Sequence, residues 1–404
     1  MSNRIKVSYP AYFKSFKCVG GKCEDTCCKA WNIEMDKETF EFYYSIKDKD
    51  MEKIIKNSIL INEECTNCNI DYGIIKLNHK NLCPFLDDNY YCIIQNKYGE
   101  EHLSEVCASF PRIINKVDNK YEISLDIACP EAAKIILNSK EKIIIDSSEI
   151  DISKYIVNDE YDTNSKKYIN TPVKYFKEIR DYSIKIMQNR KYNISTRLYI
   201  LGQFICRLEE TKYEDYYSIP EVISQFSMKN VVKFYKKDKE NYIFQIIFFK
   251  NIIDSLQIGE DQISKVFTLY TEKLLNKFQI NDDLYRNGQE YINVFDNYEK
   301  EIVENYSYIF ENYIVNFMCN TLFPFSENDF MFDGYIMLLV RYAFIRFYLV
   351  GIYTEDENDI SCKIIKFITA FTRTVEHNKN YLPDILKYIN SNCFNNFNFA
   401  RRLL

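Results

Sequence analysis

From residue 172 onward, apolar side chains return at intervals of three and four, the period of a helix with one face turned inward. Val173, Phe176, Ile179, Ile184 and Met187 predict a helix over 172–189. Leu198, Leu201, Phe204, Ile205 and Leu208 predict another over 195–210. The same spacing recurs over 222–236, 242–256, 263–277, 297–320, 332–353, 362–376 and 382–390. Only short polar breaks separate these stretches, and the whole chain holds just nine glycines, so an all-helical domain is expected. The first third has a different rhythm. A helix is predicted over 39–60, with Asp36 as its N-cap and Thr39 as an alternative start. Residues 69–77 and 121–127 alternate like strands, and Pro130 suits the first position of a helix over 130–138. The expected fold is mainly α: a loop-rich cysteine-cluster region with short strands over 1–140, then an all-helical domain over 141–404. Residues 146–167 read as the linker.

The longest apolar run, 335–353, is interrupted by Arg341 and Arg346. Two charges at its centre would be costly in lipid, so it predicts a buried helix with polar edges and no membrane span. At 47% hydrophobic and 16% aromatic residues the chain can fill large cores, which argues against disorder. Lys and Arg number 52 against 58 Asp and Glu, so the basic footprint of a nucleic-acid binder is missing. The opening MSNRIKVSYP lacks the pattern of a secretory signal, and a cytoplasmic protein is expected, in which cysteines stay reduced.

That expectation changes the meaning of the fourteen cysteines. Ten precede residue 130: Cys18, Cys23, Cys27, Cys28, Cys65, Cys68, Cys83, Cys92, Cys107 and Cys129. The other four, Cys206, Cys319, Cys362 and Cys393, stand alone among apolar neighbours and read as small buried hydrophobes. Reduced cysteines that cluster are ligands or nucleophiles before they are disulfides. Cys18-Val-Gly-Gly-Lys-Cys23-Glu-Asp-Thr-Cys27-Cys28 can wrap one soft or borderline ion or cluster, with Gly20 and Gly21 easing the turn. The spacing differs from the C-x3-C-x2-C loop of radical S-adenosylmethionine enzymes, because Ala30 stands after the final gap. Adjacent Cys27 and Cys28 rarely share one metal comfortably.

Cys83, Cys92, Cys107 and Cys129 follow, two of them in Cys-Pro steps of the kind found beside iron–sulfur clusters. The eight candidate metal ligands are thus Cys18, Cys23, Cys27, Cys28, Cys83, Cys92, Cys107 and Cys129. They would fill two four-thiolate sites, or one with cysteines to spare, holding iron–sulfur or zinc. Cys65 and Cys68 read equally as a ligand pair or a local redox pair.

The motifs Tyr9-Pro-Ala-Tyr12, Cys23-Glu-Asp-Thr-Cys27-Cys28-Lys-Ala-Trp31, Cys83-Pro-Phe-Leu86, Tyr98-Gly-Glu-Glu-His-Leu-Ser104, Phe110-Pro-Arg112 and Cys129-Pro-Glu-Ala-Ala133 resemble, in order, those of the FliB flagellin lysine N-methylase family. Phe323-Pro-Phe325, Arg341-Tyr342 and Phe371-Thr-Arg373-Thr-Val-Glu-His377 extend the resemblance into the helical part. The resemblance implies methyl transfer from S-adenosylmethionine to lysines of flagellin, with a [4Fe–4S] cluster involved. It also permits an open iron of that cluster to chelate the cofactor.

No Gly-rich turn follows a strand, so a doubly wound cofactor domain is not expected. Among the matched motifs, the Glu376–His377 pair is the candidate for deprotonating the lysine ammonium, although His377 also suits a helix C-terminus. Asp36, Glu101 and Glu131 could hold a substrate lysine or simply serve helix starts. His79 and His102 read as surface residues, and Trp31 as a lid on the metal site. Two other readings stay open beside the methylase: a metal-stapled docking module, and a redox or electron-transfer protein.

Overall fold

The computed structural model describes residues 4–29, 33–151, 154–214, 216–233, 241–255, 265–278, 284–352 and 359–404. The chain forms two compact units, residues 1–135 with 144–160 and residues 136–143 with 161–404. The architecture is mainly α, as the periodicity predicts.

The first unit holds two sheets. Its strands are β1 (Arg4–Pro10), β2 (Ile33–Met35), β3 (Ile59–Ile61), β4 (Gly73–Ile75), β5 (Arg112–Val117), β6 (Lys120–Leu125), β7 (Ile145–Asp151) and β8 (Val157–Tyr161). The larger sheet has the order β7-β1-β6-β5-β8. In it β1 runs parallel to β6, with Val7 opposite Tyr121, and antiparallel to β7, from Arg4 opposite Asp151 to Pro10 opposite Ile145. Val7, Tyr9, Ile114 and Ile123 form its buried face. The stretch expected as a linker, 146–167, therefore supplies both edge strands. Its polar sequence is compatible with that place, because an edge strand needs only main-chain pairing on one side and tolerates solvated side chains.

In the smaller sheet β4 lies between β2 and β3, antiparallel to both. The single helix expected over 39–60 is two, α1 (Lys37–Ser45) and α2 (Lys49–Ser58). Asp36 caps α1 by accepting from the Thr39 N–H and Oγ1–H, each at 2.8 Å, a contribution of about 1 kcal/mol. Asp48 restarts the helix by accepting from the Asp50 and Met51 N–H groups. The remaining helices of this unit are α3 (Ile93–Tyr98), α4 (Glu105–Ser109) and α5 (Pro130–Leu137), which starts at Pro130 as expected. Ile33, Met35, Tyr43, Met51, Ile55, Ile75, Phe85 and Ile94 make the core beneath the small sheet.

The second unit is helical. Ile194–Glu214, Asn241–Ser255, Lys265–Lys277 and Met331–Ile352 follow the predicted stretches closely within the described residues. The 222–236 stretch is instead split into Ile219–Gln225 and Met228–Val232, and residues 234–236 lie outside the described ones. A helix at Leu284–Tyr298 precedes the one expected over 297–320 and joins it through the wider turns of Glu299–Val303.

Met331–Ile352 is long and apolar enough to cross a membrane, yet 94% of its most apolar window is buried inside the protein. Arg341 and Arg346 are not polar edges: both are buried. Arg341 pairs with Glu327 at 3.0 Å and Glu376 at 3.5 Å, its guanidinium over the Phe317 ring. Arg346 donates to the main-chain oxygens of Leu403 and Leu404 and to Gln245 Oε1. A charge enters a core at tolerable cost only when partnered in this way. Gly334 is required by contact, since a Cβ there would overlap the Pro324 carbonyl.

Candidate metal centre

The cysteine loop is shaped by its two glycines. Gly20 adopts φ +56°, in the left-handed region, and opens a tight turn, Gly20–Lys22. A Cβ on Gly21 would overlap the Asn89 carbonyl and crowd the Tyr91 ring. The loop thus lies directly on the turn at 87–91, which Asp87 builds by accepting from the Asn89 and Tyr91 N–H groups at 2.9 and 2.8 Å.

That docking aligns the thiols. The Cys83 N–H donates to the Cys28 carbonyl at 2.8 Å, and Lys29 bridges to Leu82. A second bridge, Leu86 to Cys92, folds the next strand segment back. Cys107 enters from α4, its N–H bonded to the Ser104 Oγ cap at 3.2 Å. Cys28, Cys92 and Cys107 all pack against the cluster that buries Cys83. Four thiols separated by up to 79 positions in the chain, from Cys28 to Cys107, thereby share one neighbourhood.

Their electrostatics agree. Burial pushes the Cys83, Cys92 and Cys107 thiols up, Cys107 to about 12, and each also feels Cys28. The Cys27 thiol donates to Cys28 and lowers it to about 7, while Cys27 itself is held well above its ordinary value by the same bond and by burial. Burial, then Cys107, Cys92 and Cys83, raise Tyr43, which lies beside the group.

Cys129 feels both Cys23 and Cys18, and Cys27 is also within reach of Cys18. An ion pair between Glu24 and Lys134 of α5, at 3.4 Å, ties their loop to the helix after Cys129. Among the described residues, no three His, Cys, Asp or Glu side chains are drawn together closely enough to hold an ion. Loading either group would require the sulfurs to close inward. The donor set nevertheless suits a soft metal, because every cysteine is a free thiol and thiolates are the preferred ligands of such ions. Proton release follows from these values. Uptake of cobalt(II) by the Cys28 group above pH 7 should release about three protons, and acid should weaken binding, more steeply once Cys28 is itself protonated. A weakly buffered titration with a pH indicator measures both. Gly21→Ala should displace the loop and cut cobalt(II) affinity roughly 10–100-fold, with helical circular dichroism unchanged.

The other singled-out residues are distributed as follows. Asp36 caps α1 and also accepts from the Glu105 N–H, and Glu131 pairs with Lys134 in the first turn of α5. His102 stacks on Phe42 with ring centroids 3.9 Å apart, and His79 is exposed. Trp31 lies outside the described residues. Cys206, Cys319 and Cys362 are half-buried, but Cys393 is exposed at φ +55°, where it turns the chain after the helix Tyr381–Ser391.

Glu376 is half-buried, accepts from the Tyr313 hydroxyl at 2.6 Å and pairs with Arg341, whereas His377 is exposed. A second ionic group escaped the sequence reading. Glu311, fully buried, accepts from Arg190 Nε and Nη2 and from Arg197 Nη1 at 2.5 Å. Glu311 between Ile309-Phe310 and Tyr313-Ile314-Val315 was the available signal.

A thiol-lined core in one unit and a helical second unit describe the molecule, and its sequence relatives define its class. The pattern of the FliB lysine N-methylase C-terminal domain matches residues 180–401, over half of the chain. The chain is 34% identical over 165 residues to the flagellar biosynthetic protein FliU of Salmonella muenchen, covering 41% of this chain and 95% of that protein. It is 35% identical over 147 residues to lysine-N-methylases of Salmonella typhimurium and Salmonella choleraesuis, covering 36% of this chain and 36% of each of them. No solved structure matches. The domain match over more than half of the chain defines its class by descent: the chain belongs to the FliB lysine N-methylase family.

Proposed function

We propose that the chain methylates lysine side chains of flagellin in the cytoplasm, using S-adenosylmethionine, with a [4Fe–4S] cluster on its cysteines. The family match over 180–401 carries this reading. Cys28, Cys83, Cys92 and Cys107 would hold the cluster, and Cys18, Cys23, Cys27 and Cys129 form the neighbouring thiol group. A cluster bound by three of the four thiols would offer one open iron to the amino and carboxylate groups of the cofactor.

The chain's own task is the lysine proton. An ammonium has no lone pair, so the substrate nitrogen must lose a proton before it can take the methyl group. We assign this to the Glu376–His377 pair. His377 is exposed, its imidazole carries a nitrogen able to accept a proton, and Tyr313 and Arg341 fix the carboxylate of the adjacent Glu376.

The test is protein purified without oxygen, assayed for iron, sulfide and a brown absorption band, then mixed with flagellin and S-adenosylmethionine. Mass spectrometry should find methyl groups on flagellin lysines, and none after the iron is chelated. Iron-loaded protein that leaves flagellin unmodified would overturn the reading. Zinc without sulfide, and no transfer, would replace it with a metal-stapled docking module.

A further inference from the structure

Cys65 and Cys68 belong to neither thiol group above. Their sulfurs lie 3.7 Å apart, in van der Waals contact, and Cys68 is exposed. The loop around them is held by one carboxylate. Asp71 accepts from the Thr66 N–H at 2.9 Å, the Thr66 hydroxyl at 2.8 Å and the Asn67 N–H at 2.7 Å, with the Cys65 thiol 3.3 Å from its Oδ1. Further bonds clamp both flanks: Cys65 N–H to the Asn62 carbonyl, Asn62 Nδ2 to the Asp71 carbonyl, and Lys37 N–H to the Cys68 carbonyl at 2.9 Å.

A metal pair is the weaker reading of this loop. The Asp71 oxygens are already committed to the backbone and Thr66. What the clamp does provide is two sulfurs held in contact on the surface. Closing 3.7 Å to an S–S bond of about 2.05 Å lies within the reach of side-chain rotation.

We infer that Cys65 and Cys68 form a reversible dithiol–disulfide site that takes low-molecular-weight disulfides such as oxidised glutathione. The exposed Cys68 attacks first as its thiolate. Its sulfur bonds to one sulfur of the small disulfide, and one small thiolate leaves. Cys65 then loses its proton and attacks Cys68 Sγ, and the second small thiolate leaves. The protein sulfurs give up two electrons, and the two protons end on the two small thiols. Partial desolvation and the bond to Asp71 raise the Cys65 thiol to about 11, which fits it to the second, resolving step.

The experiment exposes the full chain to a graded ratio of reduced to oxidised glutathione, then alkylates and digests it with trypsin. Lys56 and Lys76 bound the one peptide that carries both cysteines. That peptide should become two hydrogen atoms lighter and resist alkylation, and dithiothreitol should restore it. Cys65→Ser should trap the glutathione adduct on Cys68, at least about tenfold above its level in the unaltered chain. Cys68→Ser should leave Cys65 largely reduced. A peptide that stays reduced at oxidising ratios would overturn the proposal. So would a stable adduct on Cys68 in the unaltered chain, or stoichiometric protection of the peptide by zinc alone.

Discussion

Metal content should collapse in chains carrying Cys28→Ser or Cys83→Ser, while Cys206→Ser keeps the full complement. Cys83 is the most buried of its group, and its main chain is already bonded to Cys28. A serine there leaves a neutral hydroxyl where a thiolate should close on the ion. Losing a ligand thiol weakens binding more than the roughly 10–100-fold that outer contacts contribute. Cys206 sits in the helical unit, far along the sequence from every clustered thiol. Cys23→Ser and Cys27→Ser test the neighbouring group, and each should abolish metal binding there. If they remove one part of the metal and Cys83→Ser removes the rest, the eight thiols make two sites. Equal metal in all of these variants would refute the assignment altogether.

Glu311→Ala should be the most damaging change in the helical unit, at about 3–5 kcal/mol of stability. The Glu311 carboxylate receives Arg190 and Arg197, and Arg197 also donates to the Met187 carbonyl at 2.6 Å. Burial lowers the Arg197 guanidinium from its ordinary value, and Glu311 is the main influence raising it again. With Glu311 gone, a buried cation has no counter-charge. Urea unfolding of both forms measures the difference. A loss under about 1 kcal/mol would mean that water reaches Arg197 and that the pair behaves as a surface one.

Periodic features were legible and paired ones were not. Leu198, Leu201, Phe204 and Leu208 announce their helix because neighbours four residues apart decide a helical face. Asp36 announces its cap for the same local reason, and ten early cysteines mark the first third as the candidate metal region by density alone. Which thiol meets which was not readable. Cys28 and Cys83 become neighbours through a main-chain bond between two loops, which Gly21 lets lie close together at Asn89. The strand Ile145–Asp151 carries Asp, Ser, Ser and Glu at its centre, so only its partner β1 reveals it. Arg341 and Arg346 read as edges because their partners, Glu327, Glu376 and the last two carbonyls, lie elsewhere in the sequence. Cys393 reads as buried until its left-handed backbone is seen.

The pairing of β1 also sets a timetable for synthesis. Its partners are β6 and β7, and the second begins more than 130 residues later, at Ile145. Contacts so distant in sequence close slowly, because the intervening chain must be ordered first. During translation the cysteines of the opening loop therefore leave the ribosome long before their sheet can form. Until the chain reaches the edge strand, those thiols are open to whatever oxidant or metal they meet. A nascent chain halted at residue 144 would already carry all eight thiols of both groups while β1 still lacked one neighbour.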